Sequence, residues 1–194
     1  MPANIRSVVV FCGSRVGRDP AWRVAADALG RGLAASGIRL IYGGGRVGLM
    51  GAVADGALAA GGAVTGMIPD FLRAREVAHP GLTELLVTNS MHDRKAMMFE
   101  HGDAFVTLPG GLGTLDETVE AITWRQLGLH DRPILIANLN GWASSLIGVM
   151  NGFVNDGFAE PSSRALYEVL PDIPAVMRRL VTLPARTPGP IARL

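Results

Sequence analysis

The sequence predicts an α/β protein, with a parallel sheet covered by helices on both faces. Three observations carry this. Short apolar, β-branched runs alternate with helical stretches along the chain. The runs carry little charge, as strands buried on both faces must. The 25 glycines cluster at the turns, where a strand hands over to a helix. At 194 residues, with 48% hydrophobic and 18% charged side chains, the chain suits one ordered domain with a large core, expected over residues 1–184.

Residues 7–13 read as the first buried strand, Gly13, Ser14 and Arg15 as a turn, and 20–35 as a helix with Trp22, Ala26, Leu29 and Leu33 among its apolar positions. Ser14 either donates to a ligand at the strand end or tightens the turn. Residues 39–42 form a second strand that runs into Gly43, Gly44 and Gly45. The helix over 48–60 is built of small residues, which bring a helix close to its neighbour. A strand over 63–68 follows, then a charged segment over 70–80 with Arg73, Arg75 and Glu76, read as a solvated loop or a lid. A strand over 82–87 precedes a helix that Ser90 opens in capping-box style. Arg94 and Lys95 fall at its start, where two cations oppose the helix dipole unless an anion faces them. The alternative is a solvated pair. Further strands are expected over 133–137 and 166–170, and amphipathic helices over 142–154 and 173–180. The tail over 185–194, with Pro188 and Pro190, is expected to be disordered.

The chain is organised around Pro109-Gly110-Gly111-Leu112-Gly113-Thr114-Leu115-Asp116-Glu117. An uncharged run over 104–108 reads as a buried strand before it, and 114–127 as a helix behind it. Glycines at such a turn expose backbone N–H groups at the positive end of a helix dipole, and an anion is their natural ligand. No Gly-Lys-Ser/Thr follows, so this is not a Walker loop, and it is not the dinucleotide fingerprint either. A second reading stays open: Thr114 and Glu117 have the spacing of a capping box, with Thr114 at the N-cap and Glu117 at N3.

Formal charge is +1, which provides no basic field for bulk nucleic-acid binding. The single Cys12, placed in the first strand, has no internal disulfide partner and suits a reducing, cytoplasmic setting. Residues 1–6 lack the basic and apolar regions of a signal peptide. No apolar run approaches the ~20 residues of a membrane span. His79, His92, His101 and His130 show no ligand spacing, so no metal and no other cofactor is expected.

Pro109 to Glu117, taken with Met91-His92-Asp93-Arg94-Lys95, strongly resembles the Lonely Guy (LOG) family, long labelled lysine decarboxylases. The likeness extends over Val10 to Ser14, Tyr42 to Gly45, Arg75 to Thr83, Ile122 to Trp124 and His130-Asp131, and fades after about Leu180. It implies a modified Rossmann-like, doubly wound sheet that forms a homodimer or higher oligomer. It also implies cleavage of the N-glycosidic bond of cytokinin riboside 5′-monophosphates, AMP or both, giving free base and ribose 5-phosphate. By position, Arg94 and Glu117 match the catalytic pair. Glu76, Lys95, Gly111, Leu112, Gly113, Thr114 and Thr123 match substrate contacts. Gly110, Leu115 and Asp116 in the same loop, with Ser14 and Gly44 at the other strand ends, complete the candidate set. Arg94 holds Glu117, the ribose hydroxyls or the phosphate. Asp93, Asp116 and Arg125 depart from the residues usual at their positions, and Arg125 bears on the entrance or the dimer contact. Nothing here resembles a pyridoxal-phosphate site, which disfavours lysine decarboxylation.

Two other functions compete. A non-catalytic nucleotide carrier or sensor would keep the glycine loop without needing Arg94 and Glu117 together. A nicotinamide-dependent reductase would need Gly43 to Gly51 to hold a dinucleotide, with Asp70 reading the ribose. The glycine spacing there is wrong for it.

Overall fold

The computed structural model describes residues 4–73 and 77–184. Its centre is one seven-stranded sheet in which every neighbouring pair is parallel. In chain order the elements are β1 (Ser7–Phe11), α1 (Pro20–Ala35), β2 (Arg39–Tyr42), α2 (Gly48–Ala59), β3 (Val64–Pro69), β4 (Glu84–Thr88) and α3 (Met91–His101). They continue with β5 (Ala104–Thr107), α4 (Leu112–Gln126), β6 (Ile134–Ala137), α5 (Ser144–Asn155), β7 (Glu168–Leu170) and α6 (Ile173–Val181). The sheet order is β4-β3-β2-β1-β5-β6-β7. The chain therefore winds outward from β1 to β4, returns, and adds β5 on the other side of β1. The loops leaving β1 and β5 part at this reversal and open a crevice at the strands' carboxyl ends.

Burial follows the period of two expected of strands. Val8, Val10 and Cys12 face one core with α1, α2 and α6, while Val9 and Phe11 face a second with α3 and α4. The expected cover on both faces is thus present. The small residues of α2 serve close helix packing, because a Cβ on Gly30 of α1 would overlap the carbonyl of Val53. The second core is aromatic: Phe11 stacks on Phe105 at 5.8 Å between centroids, and Phe99 stacks on Trp124 at 4.6 Å.

Several boundaries differ from the sequence reading. β1 ends at Phe11, so Cys12 is buried in the turn beyond the strand rather than within it. α5 begins at Ser144, after a 3₁₀ turn over Leu139–Gly141 in which Asn140 is left-handed, with φ 50°. A 3₁₀ segment over Pro161–Leu166 occupies the start of the expected last strand. The charged segment after β3 opens with a 3₁₀ turn, Asp70–Leu72. Glu76 and the 185–194 tail lie outside the described residues. No helix among the described residues is long and apolar enough to cross a membrane.

Candidate active site

A cleft of about 830 Å³ lies at the β1/β5 reversal. Its floor is formed by the turn after β1, with Gly13 and Ser14, and the turn after β5, with Gly110 and Gly111. The two turns are stitched together by a bond from the Gly13 N–H to the Pro109 carbonyl, 3.0 Å. Gly110 is a structural glycine at this seam. A Cβ there would overlap Thr114 Oγ1 and lie 2.9 Å from the Gly13 nitrogen. Gly111 and Gly113 differ, because a Cβ on either would enter open space. The fold does not need those positions bare, and their bareness leaves room at the mouth of α4.

The capping-box reading of Thr114 and Glu117 is overturned. α4 starts two residues earlier, with Gly111 at the N-cap and no side-chain cap. Thr114 is therefore at N3 and buried, and Glu117 lies in the second turn. The cause lies in the turn backbone: Leu115 N–H already bonds to the Gly111 carbonyl at 3.0 Å, which begins the helix before Thr114. A further tie fixes α4 on the sheet. Thr118 Oγ1 donates to the Thr114 carbonyl at 2.6 Å and pairs with Thr107 Oγ1 of β5 at 2.9 Å. Sequence reasoning missed Thr107 and Thr118; two hydroxyls eleven residues apart meet only once the helix folds back on its strand.

Other helices bordering the crevice have their first amides occupied. Asp19 caps α1 through the Ala21 N–H, and Ser90 caps α3 through the Asp93 N–H. At α2, the N–H groups of Leu49 and Met50 point to the Gly13 carbonyl, at 3.0 and 3.3 Å. Those are the amides a dinucleotide loop would offer to pyrophosphate, so the reductase reading loses its cradle. Gly111, Leu112, Gly113 and Thr114, at the start of α4, line the cleft, and no side chain caps that helix end.

Arg94 enters from α3. Its side chain is only 5% exposed, with Nη2 3.8 Å from Glu117 Oε1, and the Glu117 side chain is 12% exposed. Nη1 contacts Met91 Sδ at 3.8 Å, and Nε has no partner among the described residues. Gly43, at the end of β2, makes room for this guanidinium: a Cβ there would overlap Arg94 Nη2. A buried, under-partnered guanidinium beside an uncapped helix start is a configuration that calls for an anionic ligand.

The remaining candidates are placed as follows. Ser14, Leu112 and Asp116 line the cleft. Gly44 turns away from it: its φ is 79°, a Cβ there would face Ile68 and Leu85, and its carbonyl accepts the His79 N–H. Gly43, its neighbour, is the cleft residue. Leu115 lies on the half-exposed side of α4. Thr123, three turns along α4, bonds back to the Val119 carbonyl at 2.8 Å. Lys95 points from α3 to α4, with Nζ 3.2 Å from Asp116 Oδ2 and 3.0 Å from Glu120 Oε2. Burial pushes the Lys95 ammonium down, but the charges of Glu120 and Asp116, with the hydrogen bond to Asp116, outweigh it and hold its pKa above the ordinary lysine value. Trp22 and Trp142 also wall the cleft, and Arg15 and Arg18 rim it. Asn140 donates to Asp19 at 2.7 Å; that bond, with the Ala21 N–H, holds the Asp19 carboxyl below its usual range. Arg125 donates to the Leu166 carbonyl of its own chain at 2.9 Å. Among the described residues no three His, Cys, Asp or Glu side chains gather as a metal site.

Fold and site together define a doubly wound α/β protein whose crevice brings together an uncapped helix start, a carboxylate and a buried guanidinium. The family model described as possible lysine decarboxylase matches residues 50–180. Among similar proteins, a cytokinin riboside 5′-monophosphate phosphoribohydrolase from Rhodococcoides fascians is 47% identical over 169 residues, covering 87% of this chain and 85% of that one. The Arabidopsis thaliana enzyme of the same name, LOG1, is 39% identical over 178 residues, covering 92% and 84%. This chain belongs to the Lonely Guy family. Solved structures share its fold. The molybdenum cofactor carrier protein of Chlamydomonas reinhardtii superposes with TM-score 0.67 at 20% identity, over 90% of this chain and 94% of that one. The protein TM1055 superposes with TM-score 0.68 at 24% identity, over 92% and 99%.

Proposed function

We propose that this chain is a phosphoribohydrolase that cleaves the N-glycosidic bond of an adenine-type nucleoside 5′-monophosphate, AMP or a cytokinin riboside 5′-monophosphate. The products are the free base and ribose 5-phosphate. One observation carries the reading: the nearly buried Arg94–Glu117 pair stands in the same cleft wall as the uncapped start of α4. A carrier needs only the cradle.

In this mechanism the 5′-phosphate rests on the amides of Gly111, Leu112, Gly113 and Thr114, with Gly110, Leu115 and Asp116 shaping the loop and Ser14 facing it across the cleft. Seating the phosphate brings the ribose against Glu117 and supplies orientation. As the C1′–N bond breaks, the bonding pair leaves with the base and positive charge grows on the ribose. The Glu117 carboxylate stabilises that charge and orients the water whose oxygen bonds to C1′, and the proton that water gives up ends on the departing base. Arg94, permanently charged and a multiple donor, organises carboxylate and nucleotide together. Glu76, outside the described residues, and Thr123 of α4 are carried as further substrate contacts on the family resemblance alone.

We place the reaction in the cytoplasm, consistent with a single buried Cys12, on one domain spanning residues 1–184, and in a homodimer or higher oligomer. The apolar surface proposed for the oligomer lies on α4 and α5. Met98 and Phe99 are core, and Trp124 packs on Phe99. Leu115 and Val119 of α4 and Val149 and Phe153 of α5 are among the exposed apolar groups and carry this proposal.

The test is incubation of purified protein with AMP and with isopentenyl-AMP, followed by chromatography for free base. Release of base and ribose 5-phosphate, undiminished by chelator, is the expected result. Tight nucleotide binding with no base released from adenine, guanine, cytosine or uracil monophosphates or from isopentenyl-AMP would establish the carrier instead.

A further inference from the structure

Two consecutive residues of α3 meet two consecutive residues of α4. Arg94 faces Glu117, and Lys95 faces Asp116, with Glu120 one turn further along. The pairs differ in closeness. Lys95 Nζ donates to Asp116 Oδ2 at 3.2 Å and forms an ion pair with Glu120 Oε2 at 3.0 Å, without hydrogen-bond geometry to the latter. Arg94 and Glu117 stand 3.8 Å apart, beyond a hydrogen bond. Lys95 is 15% exposed and Glu120 22%, so this contact is largely shielded from solvent. Arg94 and Glu117 line the cleft, whereas the Lys95 ammonium is spent on α4. Gly43 packs close to Arg94, since a Cβ there would overlap Nη2. The Arg94–Glu117 gap is thus bounded by the packing of Gly43 against the guanidinium and by the spacing of α3 and α4.

We infer that Lys95, held between Glu120 and Asp116, is a positioning residue that sets the Arg94–Glu117 gap and acts on turnover through Glu117, without touching the nucleotide. This rests on the phosphoribohydrolase reading. A misplacement of about 1 Å at a reacting carboxylate can cost up to roughly 10²-fold in rate. Loosening the clamp therefore lowers kcat and spares the phosphate cradle.

The experiment is steady-state AMP hydrolysis by wild type, Lys95→Met, Lys95→Arg, Glu120→Gln and the Lys95→Met/Glu120→Gln double variant, with melting temperatures alongside. The clamp predicts that Lys95→Met and Glu120→Gln each lose about tenfold in kcat while KM stays within about twofold. The double variant should lose no more than the worse single one, and Lys95→Arg should recover part of the rate. If Lys95→Met raises KM and Glu120→Gln is silent, Lys95 holds substrate directly and the clamp is wrong. Should Lys95→Met fail to fold, the kcat of Glu120→Gln against Lys95→Arg still decides. An active wild type with unchanged kcat in Glu120→Gln overturns the clamp alone. A wild type that releases no adenine overturns the clamp and the reaction together.

Discussion

Arg94 Nη2 and Glu117 Oε1 stand 3.8 Å apart, nearly buried, on two different helices. A salt bridge built for stability would close to hydrogen-bond distance and satisfy the remaining donors, since burying two charges is costly. This pair does neither, and Arg94 Nε has no partner among the described residues. On the phosphoribohydrolase reading, substrate completes the arrangement around Arg94. Glu117→Gln should keep the fold and much of the phosphate affinity while losing about 10²-fold or more in kcat. Arg94→Ala should also lose activity. Wild-type kcat in either variant would remove that residue from the mechanism.

The glycines divide into two roles that melting and kinetics can separate. Gly110→Ala drives a methyl into Thr114 and toward the Gly13 backbone, so it should lower stability by about 1–3 kcal/mol. Gly111→Ala meets nothing, so its melting temperature should match wild type. Its methyl occupies the space over the helix start, and KM for AMP should rise about tenfold through weakened charged hydrogen bonds. A Gly111→Ala enzyme with wild-type KM would show that phosphate does not sit there.

Gly43→Ala probes the close packing against the guanidinium. Its methyl would overlap Arg94 Nη2, and a long side chain can swing away at modest cost to the fold. The expected outcome is a folded protein whose kcat falls toward that of Arg94→Ala. Full activity would show that Arg94 works from another position.

Phosphate dependence follows from the uncapped start of α4. Adenosine lacks the group that seats the ribose, so its kcat/KM should lie at least about 10²-fold below that of AMP. Equal values for the two would take the phosphate off Gly111 to Thr114.

The exposed apolar faces of α4 and α5 set the oligomer test. Light scattering should give a multiple of the 20.4 kDa chain mass. Leu115→Glu combined with Val119→Glu should dissociate it, because carboxylates buried in an apolar contact are costly. A stable, active wild-type monomer would contradict the assembly.

The sequence by itself determined the elements, the class of fold and the loops that meet at the crevice. Uncharged β-branched runs such as 104–107 have few structural options other than buried strands, and α1 and β2 keep their expected bounds because Pro20 and the glycines after Tyr42 punctuate them locally. The glycine turn between β5 and α4 was legible for the same reason: glycines between a strand and a helix are a local signal. Only the tertiary structure decided what depends on packing between distant segments. It showed that α4 starts at Leu112, so Glu117 is not part of a capping box but stands in the second turn opposite Arg94. It turned Gly44 away and placed Gly43 under the guanidinium, a distinction of one residue that follows from which way the chain leaves β2. It assigned Phe99 and Trp124 to the core, since a helix pattern shows that a face is apolar but not what covers it. And it brought Lys95 to Glu120, a meeting of two helices whose spacing no local pattern encodes.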